Sequence, residues 1–331
     1  MFRVATFNME SLDEGPGVSP PLEERLSILR PQLERLDADI LCMQEVNARR
    51  PSRHTPRTLQ VLDTLLAGTP YQDYHRAASH TPMGSAPLDR HNLVILSKFP
   101  ITQHQQYWND LLPSFSYPMV TATPNSKHIK NIEWDRPLLY AQIDTGSGHT
   151  LHVINLHLRA PLAVPIDGQK DSDGIWKTIA GWSEGYFLAA MKRSGQAVET
   201  RLLIEKIFAT DPQAQLMVCG DFNATEHEVP TRILRGGESD TNNSRLSQYT
   251  LVPLERSLPQ AQRFSVIHHG RKQMLDHFLV SRHLLGYYHH MEIHNESLID
   301  ELVAYRAMEN PAESYHAPMV VVFKKKELRV R

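Results

Sequence analysis

The sequence predicts an α/β fold in which two packed sheets are flanked by helices. Many short runs of β-favouring apolar residues recur along the chain, and fewer segments show apolar residues at helical spacing. Residues 144–148 read Asp-Thr-Gly-Ser-Gly between two such runs, which is a strong hairpin signal. The 331 residues contain no internal repeat, low-complexity tract or convincing linker, so we expect a single domain over residues 1–331.

The first part of the chain predicts two strands separated by a helix. Residues 2–7 form the first strand, and residues 39–44 form a second, buried strand that ends at Glu45. Between them, leucines recur at helical spacing over residues 22–36. Pro31 lies inside that segment, so we expect the helix to be kinked or divided there.

The middle of the chain alternates between strands and segments without clear periodicity. A short helix covers residues 59–66 and is ended by Gly68. We interpret residues 71–90 as a loop and residues 107–134 as a surface excursion. Strands are predicted at residues 92–97, from residue 101 onward, at 137–143 and at 150–156.

The second half of the chain predicts helical segments between further strands. Apolar residues recur at helical spacing over residues 175–208, and we expect Gly181, Gly185 and Gly195 to split this segment. Its large side chains are interpreted as core-facing and not as a base-stacking platform: Trp176, Trp182, Phe187 and Met191. The other elements are predicted as strands at 216–219, 263–267, 275–280 and 319–323 and a helix near 228–235.

The composition is that of a globular protein without a strong electrostatic preference. A formal net charge of −2 lacks the basic excess of strong non-specific nucleic-acid binders, although an enzyme that binds phosphate through a metal needs none. Cys42 and Cys219 lie in apolar runs and are expected to be buried free thiols of a reducing compartment. No apolar stretch approaches membrane-spanning length and no targeting segment is recognised, so we expect a soluble, cytoplasmic protein.

Polar side chains stand at the ends of several predicted strands. The apolar run 216–219 leads through Gly220 into Asp221 and Asn223, which a rigid sheet can aim at one point. An ordinary Asx turn is the alternative interpretation of these two residues. Asp276 lies within an apolar strand, where a carboxylate is costly unless it is paired. The complete array is Asn8 with Glu10, Glu45, His157, Asp221 with Asn223, Asp276, and His316 ahead of the last strand.

Six short motifs, taken in chain order, resemble the endonuclease/exonuclease/phosphatase superfamily. They are Thr6-Phe7-Asn8-Met9-Glu10, Asp39-Ile40-Leu41-Cys42-Met43-Gln44-Glu45, Asn155-Leu156-His157-Leu158, Gly220-Asp221-Phe222-Asn223, Leu275-Asp276-His277-Phe278 and Ser314-Tyr315-His316-Ala317-Pro318. None is diagnostic alone, but the ordered set covers nearly the whole chain. The superfamily includes deoxyribonuclease, apurinic endonuclease, sphingomyelinase and inositol-phosphate phosphatase types. The resemblance implies a four-layered α/β sandwich of two mostly antiparallel sheets and a metal-dependent phosphoric ester hydrolase.

The resemblance also implies a role for each matching residue. Glu45 is expected to be the principal ligand of a catalytic Mg²⁺ or Mn²⁺, with Asn8 and Glu10 lining the same pocket. Asp221 is expected to orient or deprotonate the attacking water, and Asn223 is expected to contact phosphate beside it.

Two histidines complete the implied site. His157 resembles the residue that donates to a non-bridging phosphate oxygen. Asp276 and His316 resemble a dyad in which the carboxylate fixes the imidazole and favours its charged form. Tyr315 departs from the family, which usually has an aspartate there that can touch the metal or its waters, so the resemblance leaves metal affinity and preference open.

The leading expectation is phosphodiester hydrolysis by in-line attack of an activated water, with DNA or RNA as the substrate. A phosphomonoesterase, a lipid- or inositol-phosphate hydrolase, and a catalytically weakened binding protein are the alternatives. Arg90, Arg136 and Arg159 flank the expected site and can bind phosphate, although such arginines are more often solvated or salt-bridged. Oligomeric state, one or two metals, and endo- or exo-cleavage stay open.

Overall fold

The computed structural model describes residues 1–324 apart from residues 16, 53, 125–128, 147, 238–239 and 302–310. The helices are α1 (Leu22–Leu36), α2 (Gln60–Leu66), α3 (Ile179–Thr210), α4 (Val229–Arg235) and α5 (Arg282–Leu285). The strands are β1 (Phe2–Leu12), β2 (Ile40–Val46), β3 (His75–Ala78), β4 (Asn92–Ser97), β5 (Ile101–Tyr107), β6 (Phe115–Pro118), β7 (Ile129–Ile132), β8 (Leu138–Asp144), β9 (Thr150–His157), β10 (Gln215–Asp221), β11 (Leu251–Pro253), β12 (Val266–His268), β13 (Arg271–Gln273), β14 (Asp276–Ser281), β15 (Tyr288–Ile293) and β16 (Met319–Phe323). Short 3₁₀ turns cover Pro70–Asp73, Ser244–Tyr249, Leu254–Ser257 and Gln260–Gln262.

Two six-stranded sheets form the framework. The first sheet has the order β15-β16-β1-β2-β4-β3, and the second has the order β11-β14-β10-β9-β8-β5. Each sheet contains one parallel pair at its centre, β1 with β2 and β9 with β10, and its other neighbouring strands are antiparallel. The prediction of two mostly antiparallel sheets is therefore confirmed.

Both faces of the central strands are buried, which produces four layers. In β10, Met217 contributes to the core between the sheets, while its neighbour Val218 packs on the helical side. In β1, Val4 points into the central core and Phe7 packs beneath α1 and α2. Burial on two faces explains why β10 reads as an unbroken apolar run over residues 216–219. The layers follow as helices, first sheet, second sheet and helices, as predicted.

Helix α1 is not divided at Pro31, so the division that the sequence offered as one of two outcomes is wrong. It continues from Leu22 to Leu36 with Pro31 inside it. Leu29, Leu33 and Leu36 are fully buried against the first sheet. This packing holds the helix together across the backbone hydrogen bond that proline cannot make.

Helix α3 is also continuous, so the expected division at its glycines is wrong. It runs as one helix of 32 residues. A side chain at Gly185 would collide with the carbonyl oxygen of Val164, and one at Gly195 would collide with the ring of Trp134. These glycines allow close packing and do not end the helix.

The aromatic residues at the start of α3 do not all face the core. Trp182 is 42% exposed and Phe187 is 48% exposed, which contradicts the core-facing interpretation of these two side chains. This part of the helix packs on the preceding loop, where Gly181 meets Gln169, and on the short strands β6 and β7, and not on either six-stranded sheet. The helical spacing of apolar residues therefore predicted the helix correctly, but it did not show which of these residues are buried.

Two segments interpreted as irregular contain structure. Strand β3 lies within 71–90 and pairs with β4 at the edge of the first sheet. The 107–134 excursion contains the β6–β7 hairpin, and Ile132 packs with Ile166 and Leu188 in a small separate core. Both strands are four residues long, too short for a clear period of two.

Cys42 and Cys219 are free and buried, as predicted. Across the described ranges, no helix has the length and apolarity that crossing a bilayer requires.

Candidate active site

The predicted site residues meet where the strand ends of the two sheets converge. Because β9 and β10 are parallel and β14 is antiparallel to β10, the register places His157, Asp221 and Asp276 side by side in one row. In the first sheet, Asn8 and Glu45 lie toward the same ends of the parallel strands β1 and β2. The site is therefore shared by both sheets.

Asp221 is the meeting point of the site. Its Oδ2 accepts a hydrogen bond of 3.1 Å from Asn8 Nδ2 of the other sheet, and its Oδ1 accepts one of 2.7 Å from the Asn223 backbone N–H. His157 Nε2 lies 3.2 Å from Oδ2. Burial would raise the pKa of Asp221, but the charge of His316, the interaction with the His157 ring and these hydrogen bonds lower it, so the carboxylate is ionised at neutral pH.

The backbone around Asp221 explains the motif that carries it. Gly220 has a φ of 129°, and a Cβ there would collide with the carbonyl oxygen of Leu156 on the neighbouring strand. Asn223 adopts a φ of 47°, which asparagine tolerates better than most residues. Its Nδ2 donates to the Leu158 carbonyl at 3.0 Å. Both the Asx-type turn and the aimed carboxylate of the sequence analysis are thus present together.

Glu45 is held by Ser11 of the neighbouring strand β1 and faces two histidines. Its Oε2 accepts hydrogen bonds from the Ser11 N–H at 2.9 Å and the Ser11 hydroxyl at 3.0 Å. His157 Nε2 and His91 Nδ1 each lie 3.6 Å from one of its oxygens. Burial would raise the pKa of Glu45, but the two rings lower it well below its ordinary value, which keeps it ionised.

His316 and Asp276 form a dyad. His316 Nδ1 donates to Asp276 Oδ2 at 2.8 Å, and His316 Nε2 lies 3.9 Å from Asp221 Oδ2. The Ser314 hydroxyl accepts from the His316 backbone N–H at 3.0 Å and donates to the Asn8 carbonyl at 2.8 Å. Burial favours the neutral ring, but the carboxylates of Asp276 and Asp221 raise the pKa of His316 well above its usual value. The ring is therefore an imidazolium at neutral pH.

Glu10 lies close to His316 and Glu45. Burial raises the pKa of Glu10 to about 7, an effect that the charge of His316 opposes and the charge of Glu45 reinforces. Glu10 and the buried Tyr315 line a cavity of about 370 Å³. Arg25 donates to the carbonyls of Met9 and Glu10 at 2.6 and 3.0 Å and so holds this wall in place.

The sequence matches the model of the Endonuclease/Exonuclease/phosphatase family over residues 5–290. The chain belongs to this family. The resemblance carried by the six motifs is thereby confirmed.

Solved structures with the same fold include other family members. An endonuclease/exonuclease/phosphatase from Bacteroides vulgatus is 17% identical with a TM-score of 0.57, and covers 97% of each chain. An AP endonuclease from Archaeoglobus fulgidus is 18% identical with a TM-score of 0.50, covering 98% of this chain and 99% of its own. TDP2 from Caenorhabditis elegans is 15% identical with a TM-score of 0.56, covering 98% of this chain and 74% of its own. Among curated proteins, none matches the sequence.

Two groups in the described part of the chain have donor atoms close enough to hold a metal ion. One is Glu45 with His91 and His157, and the other is Asp221 with Asp276 and His316; within each group the donor atoms lie within 4.8 Å of one another. In the second group, Asp276 Oδ2 already accepts a hydrogen bond of 2.8 Å from His316 Nδ1, the dyad described above. The first offers an ionised carboxylate and fits a divalent cation.

His91 is the site residue that the sequence analysis missed. It directly precedes β4, which runs antiparallel to β2, so the start of β4 lies at the same edge as the end of β2. Attention to strand ends alone overlooks such positions. The pair His91-Asn92 ahead of an apolar strand is the signal that would have identified it.

The three arginines expected to flank the site differ in their surroundings. Arg159 pairs with Asp135, which also binds Lys192 at 2.6 Å, so Arg159 is a salt-bridged residue. Arg90 lines the cavity beside Glu10. The pKa of Arg136 is lowered by burial and restored in part by the charges of Glu45 and Asp221, which places its positive charge close to the site.

Proposed function

We propose that this chain is a divalent-metal-dependent hydrolase that cleaves phosphodiester bonds by in-line attack of a water aligned by Asp221. The observation that carries the proposal is the convergence of Asn8, Asn223 and His157 on the ionised Asp221. Phosphoester hydrolysis gains most from positioning of the water and neutralisation of charge on the phosphoryl oxygens.

Each residue of the site has a task in this reaction. Asp221 accepts a hydrogen bond from the attacking water and orients it. His157, whose pKa is lowered by burial and by Arg136, is a neutral N–H donor toward a phosphate oxygen. The His316 imidazolium, held by Asp276, neutralises charge that develops on the phosphate. Glu45 and Asn8 would hold the cation, which supplies Lewis-acid polarisation of the phosphate when bound.

DNA or RNA is the substrate class that we propose. One structural neighbour is an AP endonuclease. The exposed Trp182 stacks on Tyr186 with ring centroids 5.3 Å apart, and such an aromatic surface suits unpaired bases. Arg193 on the same helix donates to the Asn223 carbonyl, and Trp182 lies about 16 Å away along the helix axis. This distance fits a nucleic-acid strand that extends from the site along α3.

The free, buried cysteines favour a reducing compartment such as the cytoplasm.

A substrate panel with Mg²⁺, Mn²⁺ and EDTA tests the proposal. It comprises a simple phosphodiester, a simple phosphomonoester, a phospholipid headgroup diester, an inositol phosphate, duplex DNA, abasic DNA, single-stranded DNA and RNA. We expect metal-dependent cleavage of the simple diester and faster cleavage of a nucleic acid. Preferred cleavage of a monoester, an inositol phosphate or a lipid headgroup would replace the substrate proposal, and binding of DNA without any turnover would indicate a binding protein.

Two variants sharpen the panel. Glu45→Gln should retain the fold and lose most metal-dependent turnover on every substrate, because the neutral amide is a poorer cation ligand. Trp182→Ala should raise KM for single-stranded nucleic acid and leave the simple phosphodiester unaffected. Full activity of Glu45→Gln at saturating metal would contradict the metal assignment.

A further inference from the structure

His91 has an unusual environment for a histidine at the edge of a catalytic site. Its Nδ1 is buried and makes no hydrogen bond to any of the described residues. The nearest acid oxygen is Glu45 Oε2 at 3.6 Å, which is longer than a hydrogen bond. An imidazole nitrogen directed at a carboxylate but not bonded to it leaves room for an ion between the two.

The backbone fixes the ring in this orientation. His91 has a φ of 58°, in the left-handed region that glycine adopts more easily. Its N–H donates to Asn47 Oδ1 at 3.0 Å, and Asn47 Nδ2 donates to Asp13 Oδ2 at 3.2 Å. Arg49 in turn pairs with Asp13 at 2.7 Å. A costly conformation held by such a chain of contacts is typical of functional positions.

We propose that His91 is an imidazole ligand of the divalent cation bound by Glu45, which makes this a mixed nitrogen–oxygen site. The inference rests on the proposed function and specifies its metal. Two donors at adjacent positions of an octahedral or tetrahedral ion with bonds of about 2.1 Å lie about 3.0–3.4 Å apart, and His91 Nδ1 and Glu45 Oε2 lie 3.6 Å apart. An imidazole ligand shifts preference from Mg²⁺ toward Mn²⁺, Co²⁺ or Zn²⁺.

His157 has the same distance to Glu45 but is less suited to be the ligand. Its Nε2 lies closer to Asp221, at 3.2 Å, than to Glu45. Its Nδ1 is buried without a hydrogen-bond partner in the described part of the chain, whereas a metal-bound histidine normally donates its second N–H to a partner. The side chain of His91 is 30% exposed, so its second nitrogen can carry a proton and donate to water.

The position of Tyr315 agrees with this assignment. The family resemblance implies an aspartate at that position, and a buried tyrosine is a poor metal ligand at neutral pH because its pKa is about 10. In this chain His91, which directly precedes β4, offers a nitrogen donor beside Glu45. The expected result is a changed metal preference and not the loss of the site.

Electron spin-echo spectroscopy of the Mn²⁺-loaded full chain tests the inference directly. A coordinated imidazole produces a ¹⁴N modulation, which we expect in the wild type and not in His91→Gly. Calorimetry should show Mn²⁺ affinity falling about tenfold or more in this variant, with a smaller change for Mg²⁺. His91→Gly suits the local backbone, so its thermal unfolding should match or exceed that of the wild type. His104→Ala, a change at an exposed histidine of β5, is the matched control.

An undiminished ¹⁴N signal in His91→Gly would overturn the inference, and its loss in His157→Gln instead would move the ligand to His157. Failure of the proposed function is distinguishable from failure of this inference. If the wild type shows the ¹⁴N signal and cleaves no phosphodiester, the metal ligand stands and the catalytic proposal does not. If the wild type cleaves phosphodiesters but shows no ¹⁴N signal, the catalytic proposal stands and the assignment of His91 as a ligand does not.

Discussion

The His316 ring is held between two buried carboxylates, Asp276 and Asp221, and this determines its role. An imidazolium with a strongly raised pKa neutralises phosphate charge but is a poor base. We predict that His316→Ala and Asp276→Ala each lower kcat on a simple phosphodiester by about a hundredfold or more. Tyr315→Phe should cost little, because the proposed roles of the dyad and the metal site do not require the phenol hydroxyl. Steady-state kinetics across a Mn²⁺ titration would measure all three.

The same kinetics can reject the dyad. If Tyr315→Phe were as damaging as His316→Ala, the tyrosine would itself be a catalytic group. Circular dichroism of each variant separates a catalytic loss from unfolding.

A second buried histidine, His277, contacts the turn that follows Asp221. His277 Nδ1 lies 2.5 Å from Glu255 Oε1, its Nε2 lies 2.8 Å from the Ala224 carbonyl, and both side chains are buried. We predict that His277→Leu lowers the free energy of unfolding by about 3–5 kcal/mol, because Glu255 is left buried and unpaired. Chemical denaturation at pH 6 would measure the loss.

The pH dependence of stability gives an independent check on this pair. Burial alone would lower the pKa of His277, but the charge of Glu255 raises it. A raised folded-state pKa means that the ion pair stabilises fully below the unfolded value of about 6.5 and is lost as pH rises through the folded pKa. The difference in unfolding free energy between wild type and His277→Leu should therefore shrink at high pH. A difference that is constant between pH 6 and pH 9 would contradict the ionised pair.

Sequence patterns identified some of these residues and not others for a physical reason. Asp221 and Asn223 interrupt an apolar run, so their unusual chemistry is visible locally. Glu255 becomes significant only through His277, a partner distant in the chain, which no local pattern contains.

Helix α3 shows how packing overrides a local signal. Gly195 faces the buried ring of Trp134, whose Nε1 donates to Glu199 Oε2 at 2.6 Å and which therefore has little freedom to move. We predict that Gly195→Ala destabilises the protein by about 1–3 kcal/mol, although alanine is the better helix former. Ser194→Ala on the same turn should be near neutral. Thermal unfolding of the two variants would measure the contrast, and a stabilised Gly195→Ala would contradict the close packing.

The strands and helices were predictable to the extent that their burial is two-sided or periodic. Strand β10 is buried on both faces and reads as an unbroken apolar run, and α1 has leucines at helical spacing. The short edge strands β3, β6 and β7 carry exposed polar residues, so their pairing depends on neighbours that the sequence pattern does not reveal.

A polar contact joins the two sheets directly beneath the site. Asn155 in the second sheet donates to the carbonyls of Met43 and Val94 in the first, each at 3.0 Å, and accepts from Gln44 Nε2 at 2.7 Å. Gln44 precedes Glu45, so this contact sets the position of one half of the site against the other.

Removing this contact should affect both stability and catalysis. We predict that Asn155→Ala lowers the free energy of unfolding by about 3 kcal/mol, because buried donors and acceptors lose their partners. It should also reduce kcat beyond what the remaining folded fraction explains, since Asn155 no longer fixes the position of Glu45 in the first sheet relative to His157 in the second. Asn131→Ala, an exposed asparagine on β7, is the control. Denaturation and kinetics on the same samples would measure both effects, and a destabilised variant with unchanged kcat would limit Asn155 to a structural role.

The family and the two-sheet architecture were predictable because six motifs occur in order along the chain, five of them within the residues that the family model matches. The shared nature of the site was not, since it depends on how the sheets are packed and on the register of β9, β10 and β14. Only the folded molecule places Asn8 of one sheet 3.1 Å from Asp221 of the other.

The turnover of Asp221→Asn on a simple phosphodiester tests the central proposal most directly. Asparagine preserves the size of the side chain and one oxygen acceptor but removes the negative charge that we propose aligns the water. We predict that kcat falls about a hundredfold or more at saturating metal while KM changes little, since the interaction acts mainly in the transition state. Equal turnover by Asp221→Asn and the wild type would contradict the account and assign the water to another residue.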